Sequence, residues 1–161
     1  MKHFRLTDET ITISGRVLHR IECIVSIPSL GICVGEKGGF VEKEENLDDE
    51  AWVSDDAKVF GNAWVYGNAD VSGNAKVFGN AEVSGNAKVE TVADYILFKN
   101  WWSSGRYFTW TRSNNMWRVG CFYGTGEELI AKAYKDSEKS GREYERVVRY
   151  VESILKDEEE K

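Results

Sequence analysis

Residues 51–92 read AWVSDD, AKVFGN, AWVYGN, ADVSGN, AKVFGN, AEVSGN, AKVETV, seven hexapeptides without remainder. Position one is always Ala, from Ala51 to Ala87, and position three is always Val, from Val53 to Val89. A small and a β-branched residue at alternate places turn one face of a short extended segment toward a core. Positions five and six are Gly-Asn in five units, from Gly61-Asn62 to Gly85-Asn86. Both residues accept the positive φ that a sharp corner demands, so each unit is a short strand followed by a bend. The frame also extends backwards. Val41 and Leu47 stand twelve and six residues before Val53, which makes nine units from Gly39 to Val92. Asp55-Asp56 occupies a corner that is otherwise Gly-Asn, which suggests a different local turn.

A six-residue period with one aliphatic and one small inward residue resembles the hexapeptide left-handed β-helix family, in which three units make an 18-residue triangular coil. The resemblance implies a mainly β fold. Residues 39–92 would form a short left-handed parallel β-helix of about three coils of three hexapeptides. An N-terminal β-hairpin within 1–38 would cap it at one end, and a C-terminal β-hairpin plus two α-helices within 93–161 at the other. Handedness comes from the resemblance; the spacing alone indicates a parallel solenoid. At ~4.8 Å per coil the prism is only ~14 Å tall, and its open strand edges need covering.

Stacking at a period of 18 sorts the outward residues into columns. Phe60 falls under Phe78 beside Lys58 and Lys76, Trp64 and Tyr66 share a second face, and Trp52 lies on a third. Outward aromatics in columns point to a protein interface, unless the flanking segments fold back over them.

Upstream, TITISGRVLHRIECIVSI (10–27) places Ile21, Cys23, Val25 and Ile27 at alternate positions, the pattern of a hairpin. Gly38-Gly39 suit a tight turn into the first coil, and no Gly-Lys-Ser/Thr follows to make a phosphate loop. Downstream, residues 94–123 are dense in aromatics and arginine. A two-residue turn at Asn114-Asn115 pairs Arg112 with Trp117, Trp110 with Val119, Phe108 with Cys121 and Arg106 with Tyr123. The opposite face carries Tyr107, Thr109, Thr111, Arg118 and Phe122. Thr125 and Glu128 form a capping box that starts a helix, and Ser140-Gly141 ends it. A second helix bears Tyr144, Val147, Val148, Val151, Ile154 and Leu155 as one apolar stripe and frays at its DEEEK end.

With 42% apolar and 30% charged residues, the chain is neither a disordered tail nor a membrane span. No run of 18 apolar residues occurs, and the first twenty residues lack a signal-peptide stretch, so a cytoplasmic location is expected. A net charge of −6 argues against direct binding of duplex nucleic acid. Cys23, Cys33 and Cys121 are odd in number and far apart, the pattern of reduced core thiols. Eleven acidic residues face four lysines in 39–92, whereas Lys99, Arg106, Arg112 and Arg118 face only Asp94 in 93–124.

Acyl transfer, the activity best known on the resembled fold, uses a histidine borne on the coils. The chain has only His3 and His19, both outside the repeat, so no catalytic residues, cofactor or metal are expected. The lead-in GGFVEKEENL (38–47), the upstream LHRIECI (18–24) and the Gly120–Glu128 run GCFYGTGEE are similar to hexapeptide-repeat proteins of phage and prophage accessory genes. That resemblance implies a viral or mobile-element origin, a homo-oligomer (trimer first, dimer second) and action in the host cytosol.

Two binding functions follow. In the first, an anti-CRISPR-like counter-defence inhibitor contacts a host protein through Glu44, Glu45, Asp48, Asp49, Trp52, Phe60, Trp64, Tyr66 and Phe78. In the second, an oligomeric sponge sequesters a phosphorylated small-molecule signal such as a nucleotide second messenger. There Trp101, Trp102, Tyr107, Trp110 or Trp117 would stack on the ligand while Arg106, Arg112 or Arg118 pairs its phosphate. Whether these aromatics are core or pocket stays open at this stage.

Overall fold

The structure, a computed structural model, describes residues 2–160. The chain opens with β1 (Phe4–Ile13) and β2 (Arg16–Cys23), an antiparallel hairpin turned at Ser14-Gly15, both at positive φ. This turn geometry follows the natural twist of paired strands. β3 (Lys37–Val41) adds antiparallel to β2.

Seven two-residue strands follow at six-residue intervals: β4 (Trp52–Val53), β5 (Lys58–Val59), β6 (Trp64–Val65), β7 (Asp70–Val71), β8 (Lys76–Val77), β9 (Glu82–Val83) and β10 (Lys88–Val89). They pair parallel at an offset of 18 residues. Phe40 lies beside Lys58 and Lys58 beside Lys76; Trp52 lies beside Asp70 and Asp70 beside Lys88; Trp64 lies beside Glu82.

These pairings correct the expected fold class. A single left-handed parallel β-helix in a mainly β chain is not what forms. The sheets are mixed: β1-β2-β3-β5-β8 joins an antiparallel meander to a parallel ladder, β10-β7-β4 and β6-β9 are separate short ladders, and a fourth sheet is wholly antiparallel. Two α-helices complete an α and β architecture. The cause lies in the unit itself. Each unit contributes a strand of only two residues, continued by single corner bonds such as that from the Asn62 N–H to the Gly79 carbonyl, and the free edge of β3 is completed by the longer strands of the N-terminal hairpin.

The alanine and valine of every unit from Ala51 to Val89 are buried in one cluster, joined by Phe4, Ile21, Cys23 and Ile27 from the N-terminal segment. The 38/39 boundary read from sequence thus falls inside β3 and inside a shared core. The five corner glycines sit at φ between 62° and 70°. Asp49 and Asp55 adopt the same conformation, at 52° and 55°, and their carboxylates accept hydrogen bonds from the Gly67 and Gly73 N–H groups one coil on. Asp55 therefore reproduces the glycine corner where a different turn was expected, and both aspartates add an acceptor. Gly38 is used for space instead of turning: a Cβ there would lie 2.6 Å from Ile21 Cγ1 and 2.8 Å from the Trp52 ring.

After the repeat come β11 (Tyr95–Lys99), β12 (Tyr107–Thr111), β13 (Met116–Val119) and β14 (Phe122–Gly124), one antiparallel sheet in chain order. It replaces the expected lone hairpin. The β12–β13 register pairs Thr111 with Met116, Trp110 with Trp117 and Thr109 with Arg118. The turn is therefore four residues, Arg112 to Asn115, and the expected pairs of Trp110 with Val119 and Arg112 with Trp117 do not form. Asn115 at φ 51° accepts from the Trp110 indole N–H at 2.7 Å, and the Thr111 hydroxyl donates to Asn114. Those side-chain bonds favour the longer turn.

α1 (Gly126–Asp136) begins at the expected Thr125/Glu128 capping box. It stops at Ser137, whose hydroxyl accepts from the Ser140 N–H and starts α2 (Glu138–Glu159). Ser140-Gly141 is therefore inside a helix, where it had been expected to break one. Gly141 is needed because the Tyr134 ring lies directly over its Cα. The DEEEK end stays helical through Glu159; Lys161, like Met1, falls outside the described residues. No described helix is long and apolar enough to cross a membrane.

Both ends of the stack of repeats are closed by polar side chains. At the last coil the Glu82 N–H donates to Thr109 Oγ1 at 3.0 Å, the Lys88 N–H to Ser113 Oγ at 2.7 Å, and the Glu90 and Thr91 N–H groups to Asp94. At the first coil Lys2 Nζ reaches the Glu44 and Leu47 carbonyls, and Arg20 reaches those of Gly38 and Asp55. Exposed strand edges template aggregation, and these contacts remove that hazard at both ends.

Candidate functional site

Phe60 and Phe78 directly follow the neighbouring ladder strands β5 and β8, so one 18-residue step brings their rings parallel, 5.2 Å apart and 5° from coplanar. Leu18 and Phe40 bury Phe60, while Phe78, at the edge of the sheet, is 45% exposed. Arg16, Glu42, Lys43, Asn62 and Asn80 line an open groove of about 530 Å³ around the pair. Glu42 holds the groove wall in place, accepting from Arg16 at 3.0 Å and from the Gly61 N–H at 2.8 Å. The expected column thus presents one aromatic face, because the hairpin covers its lower end.

On the second face Trp64 and Tyr66 stack at 3.9 Å, with Trp64 exposed and Tyr66 half-buried. Arg118 reaches across from β13 and lies between Tyr66 and Tyr123, 5.3 and 4.6 Å from the two rings, with its Nε donating to Ser84 Oγ. Burial pushes the Tyr66 and Tyr123 hydroxyls above their ordinary pKa. Arg118 is therefore a bracket between sheet and repeat, not a free phosphate ligand.

Trp52, expected outward on the third face, is buried against the N-terminal segment with Ile21, Cys23 and Ile27, which corrects its assignment to an interface. Among the acidic candidates, Glu44 and Glu45 are exposed. Asp48 pairs with Lys2 at 3.3 Å and Asp49 bonds the Gly67 corner. Cys23 is a buried thiol whose pKa desolvation raises, but Cys33 and Cys121 are exposed rather than core.

The eight ligand candidates of the C-terminal module do not converge. Trp110 and Trp117 lie in the core with Phe108, Val119, Leu129, Ile130, Tyr144 and Val148, covered by both helices. Neither ring is open to a ligand. Arg112 donates to the Ala93 carbonyl and pairs with Glu158. Tyr107 is exposed beside Lys99, and Trp101 is exposed beside Lys139. Trp102 stands edge-on to Tyr144 at 4.9 Å, its indole N–H donating to Ser140.

Arg106 alone of the three arginines opens on a cavity. This space of about 290 Å³ is walled by the loop 100–106, the β13–β14 turn and the corner between α1 and α2. Val119, Phe122, Leu129 and Ala133 are its apolar lining, and Lys132, Ser103, Ser137, Ser140 and Tyr144 its polar groups. Buried Asn100 organises the loop, its Oδ1 accepting from the Trp102 and Ser103 N–H groups. Desolvation raises the Tyr144 pKa. Sequence reading missed Asn100, Lys132, Ser137, Ser140 and Tyr144 because they come from segments up to 44 residues apart that share no local motif.

No protein-family model and no curated protein matches this sequence.

Proposed function

We propose that this protein is a non-catalytic binding protein that acts by surface contact with a host protein, in the manner of a phage counter-defence inhibitor. The observation that supports this reading is the Phe60–Phe78 stack, which stays open at Phe78 on a ladder held by backbone hydrogen bonds while Phe108, Trp110, Trp117 and Tyr144 of the C-terminal module are consumed as core. An aromatic anchor in a polar-rimmed groove is the usual energetic centre of a protein interface. Glu44 and Glu45 follow Lys43 of the groove directly in the chain and would steer a basic partner surface. Self-association as a trimer or dimer would multiply the contact and belongs to the same proposal.

The test expresses the protein in bacteria that carry a phage-restricting defence system and counts plaques. Wild-type protein restores plaquing, and Phe78→Asp and the Glu44→Lys/Glu45→Lys pair abolish it while circular dichroism stays unchanged. Plaquing restored equally by the variants, or not restored by the wild type, overturns the reading.

A further inference from the structure

The chain has nine arginines. Arg5, Arg16, Arg20, Arg112, Arg142, Arg146 and Arg149 are ion-paired, and Arg118 is bonded to Ser84 between two tyrosine rings. Among the described residues Arg106 is the one whose guanidinium makes neither an ion pair nor a hydrogen bond. It lies across Gly120, whose φ of 56° and absent side chain leave room for it, and it faces the cavity beside Tyr144. A guanidinium held against a concave surface and left unpaired is arranged for an anion, since its fork matches phosphate geometry.

We propose that this cavity binds a small phosphomonoester carrying a flat apolar body, no larger than a mononucleotide, with Arg106 and Lys132 on the phosphate. Three features of the site set that ligand class. The volume of about 290 Å³ lies at the lower edge of the ~300–1,000 Å³ typical of small-molecule sites, so a dinucleotide does not fit. The lining carries Arg106 and Lys132 against Asp136 alone, and Asp136 sits 3.6 Å from Lys132, leaving one positive charge in excess. Ser137, the N-cap of the 22-residue α2, and Ser140 in its first turn bring hydroxyls and the positive end of the helix dipole to the same wall. Phe122, Val119 and Leu129 form the apolar surface on which the body lies, and Asp136 is an acceptor for a hydroxyl of that body.

The site shares no residue with the Phe78 groove, so either reading can fail without the other. The test is titration with adenosine monophosphate, adenosine and inorganic phosphate, followed by calorimetry and amide chemical shifts on the full chain. Adenosine monophosphate should saturate, shifting the amides of Ser103 and of Ser137 to Gly141, with adenosine and phosphate each at least about tenfold weaker. Arg106→Ala should weaken it about tenfold or more, and Lys132→Gln by a smaller factor; both side chains are exposed, so the fold is not at stake. The proposal is overturned if none of the three probes saturates, if Arg106→Ala binds as tightly as the wild type, or if the shifts map elsewhere.

Discussion

Residues 51–92 build their core from alanines and valines repeated without variation, whereas residues 93–160 build theirs from Phe108, Trp110 and Trp117 packed under α1 and α2 with Tyr144 of α2 among them. In the repeat the inward positions are so small that backbone spacing sets the geometry. Alternate N–H groups, such as those of Trp52, Ser54, Lys58 and Phe60, donate to the carbonyl 17 residues on, and the outward positions are left free to vary. In the module the side chains themselves set the spacing, so large rings are spent inside. The same residue type therefore means different things in the two regions. An aromatic in the repeat is an outward group that needs a cover or a partner, and an aromatic in the module is packing until shown otherwise.

The two regions are joined by polar contacts: Thr109, Ser113, Arg118 and Asn114 all bond the last coil. On β12 and β13 the sheet turns Phe108, Trp110, Trp117 and Val119 toward the helices and Thr109 and Arg118 toward the repeat, which resolves their amphipathic alternation, while Tyr95 and Leu97 of β11 add apolar contacts to the repeat's core.

The contrast can be tested by substitutions on each side of that junction. Trp117→Ala empties a fully buried indole's space in the module and should cost ~3–5 kcal/mol in chemical denaturation. Because the module completes the last coil, far-ultraviolet and tryptophan signals should fall in one transition; two separated transitions would show that the regions fold independently. In the repeat the damaging change is addition of volume. Gly38→Ala presses on Trp52, Ile21 and the Val53 carbonyl and should cost ~1–3 kcal/mol. An unchanged midpoint would mean that β3 can move away from the first coil.

Thr109→Val keeps the shape but removes the acceptor for the Glu82 N–H, a loss of about 1 kcal/mol. Faster hydrogen exchange confined to the last coil is the expected signature, and uniform exchange would count against edge closure as the role of this hydroxyl. The smallest effect should come at Asp70, between Trp52 and Lys88 on the ladder. Burial raises its carboxyl pKa, with Lys88 opposing, so the ionised form is the one penalised by folding. The penalty is present at neutral pH and disappears as pH falls below the ~3.9 of a free aspartate. Asp70→Asn should therefore raise the unfolding midpoint slightly at pH 7 and leave it unchanged at about pH 3. A gain that persists in acid would assign the effect to packing rather than charge.

The repeat's burial pattern was legible in residues 51–92, because a period of six with Ala and Val leaves few ways to hide those side chains. The Phe60–Phe78 pairing followed from the same period. The identity of the sheets was not legible: nothing local says that β3 carries an antiparallel hairpin on one edge and a parallel ladder on the other. The β12–β13 register slipped for a related reason, since Asn114-Asn115 suits a two-residue turn until the Trp110 indole claims Asn115.

Of the candidate site residues, Phe78, Trp64, Glu44 and Glu45 stand exposed as their positions in the repeat suggested. Trp52 and Phe60 do not, because distant segments cover them. Periodic hydrophobicity is a local property, so residues 51–92 specify their own inward and outward faces from the order of amino acids alone. Which outward faces stay open, which arginine stays unpaired and where a cavity forms depend on contacts between segments tens of residues apart. Those contacts are selected by shape and by the need to satisfy each buried polar group, and they come into being only when the chain has folded.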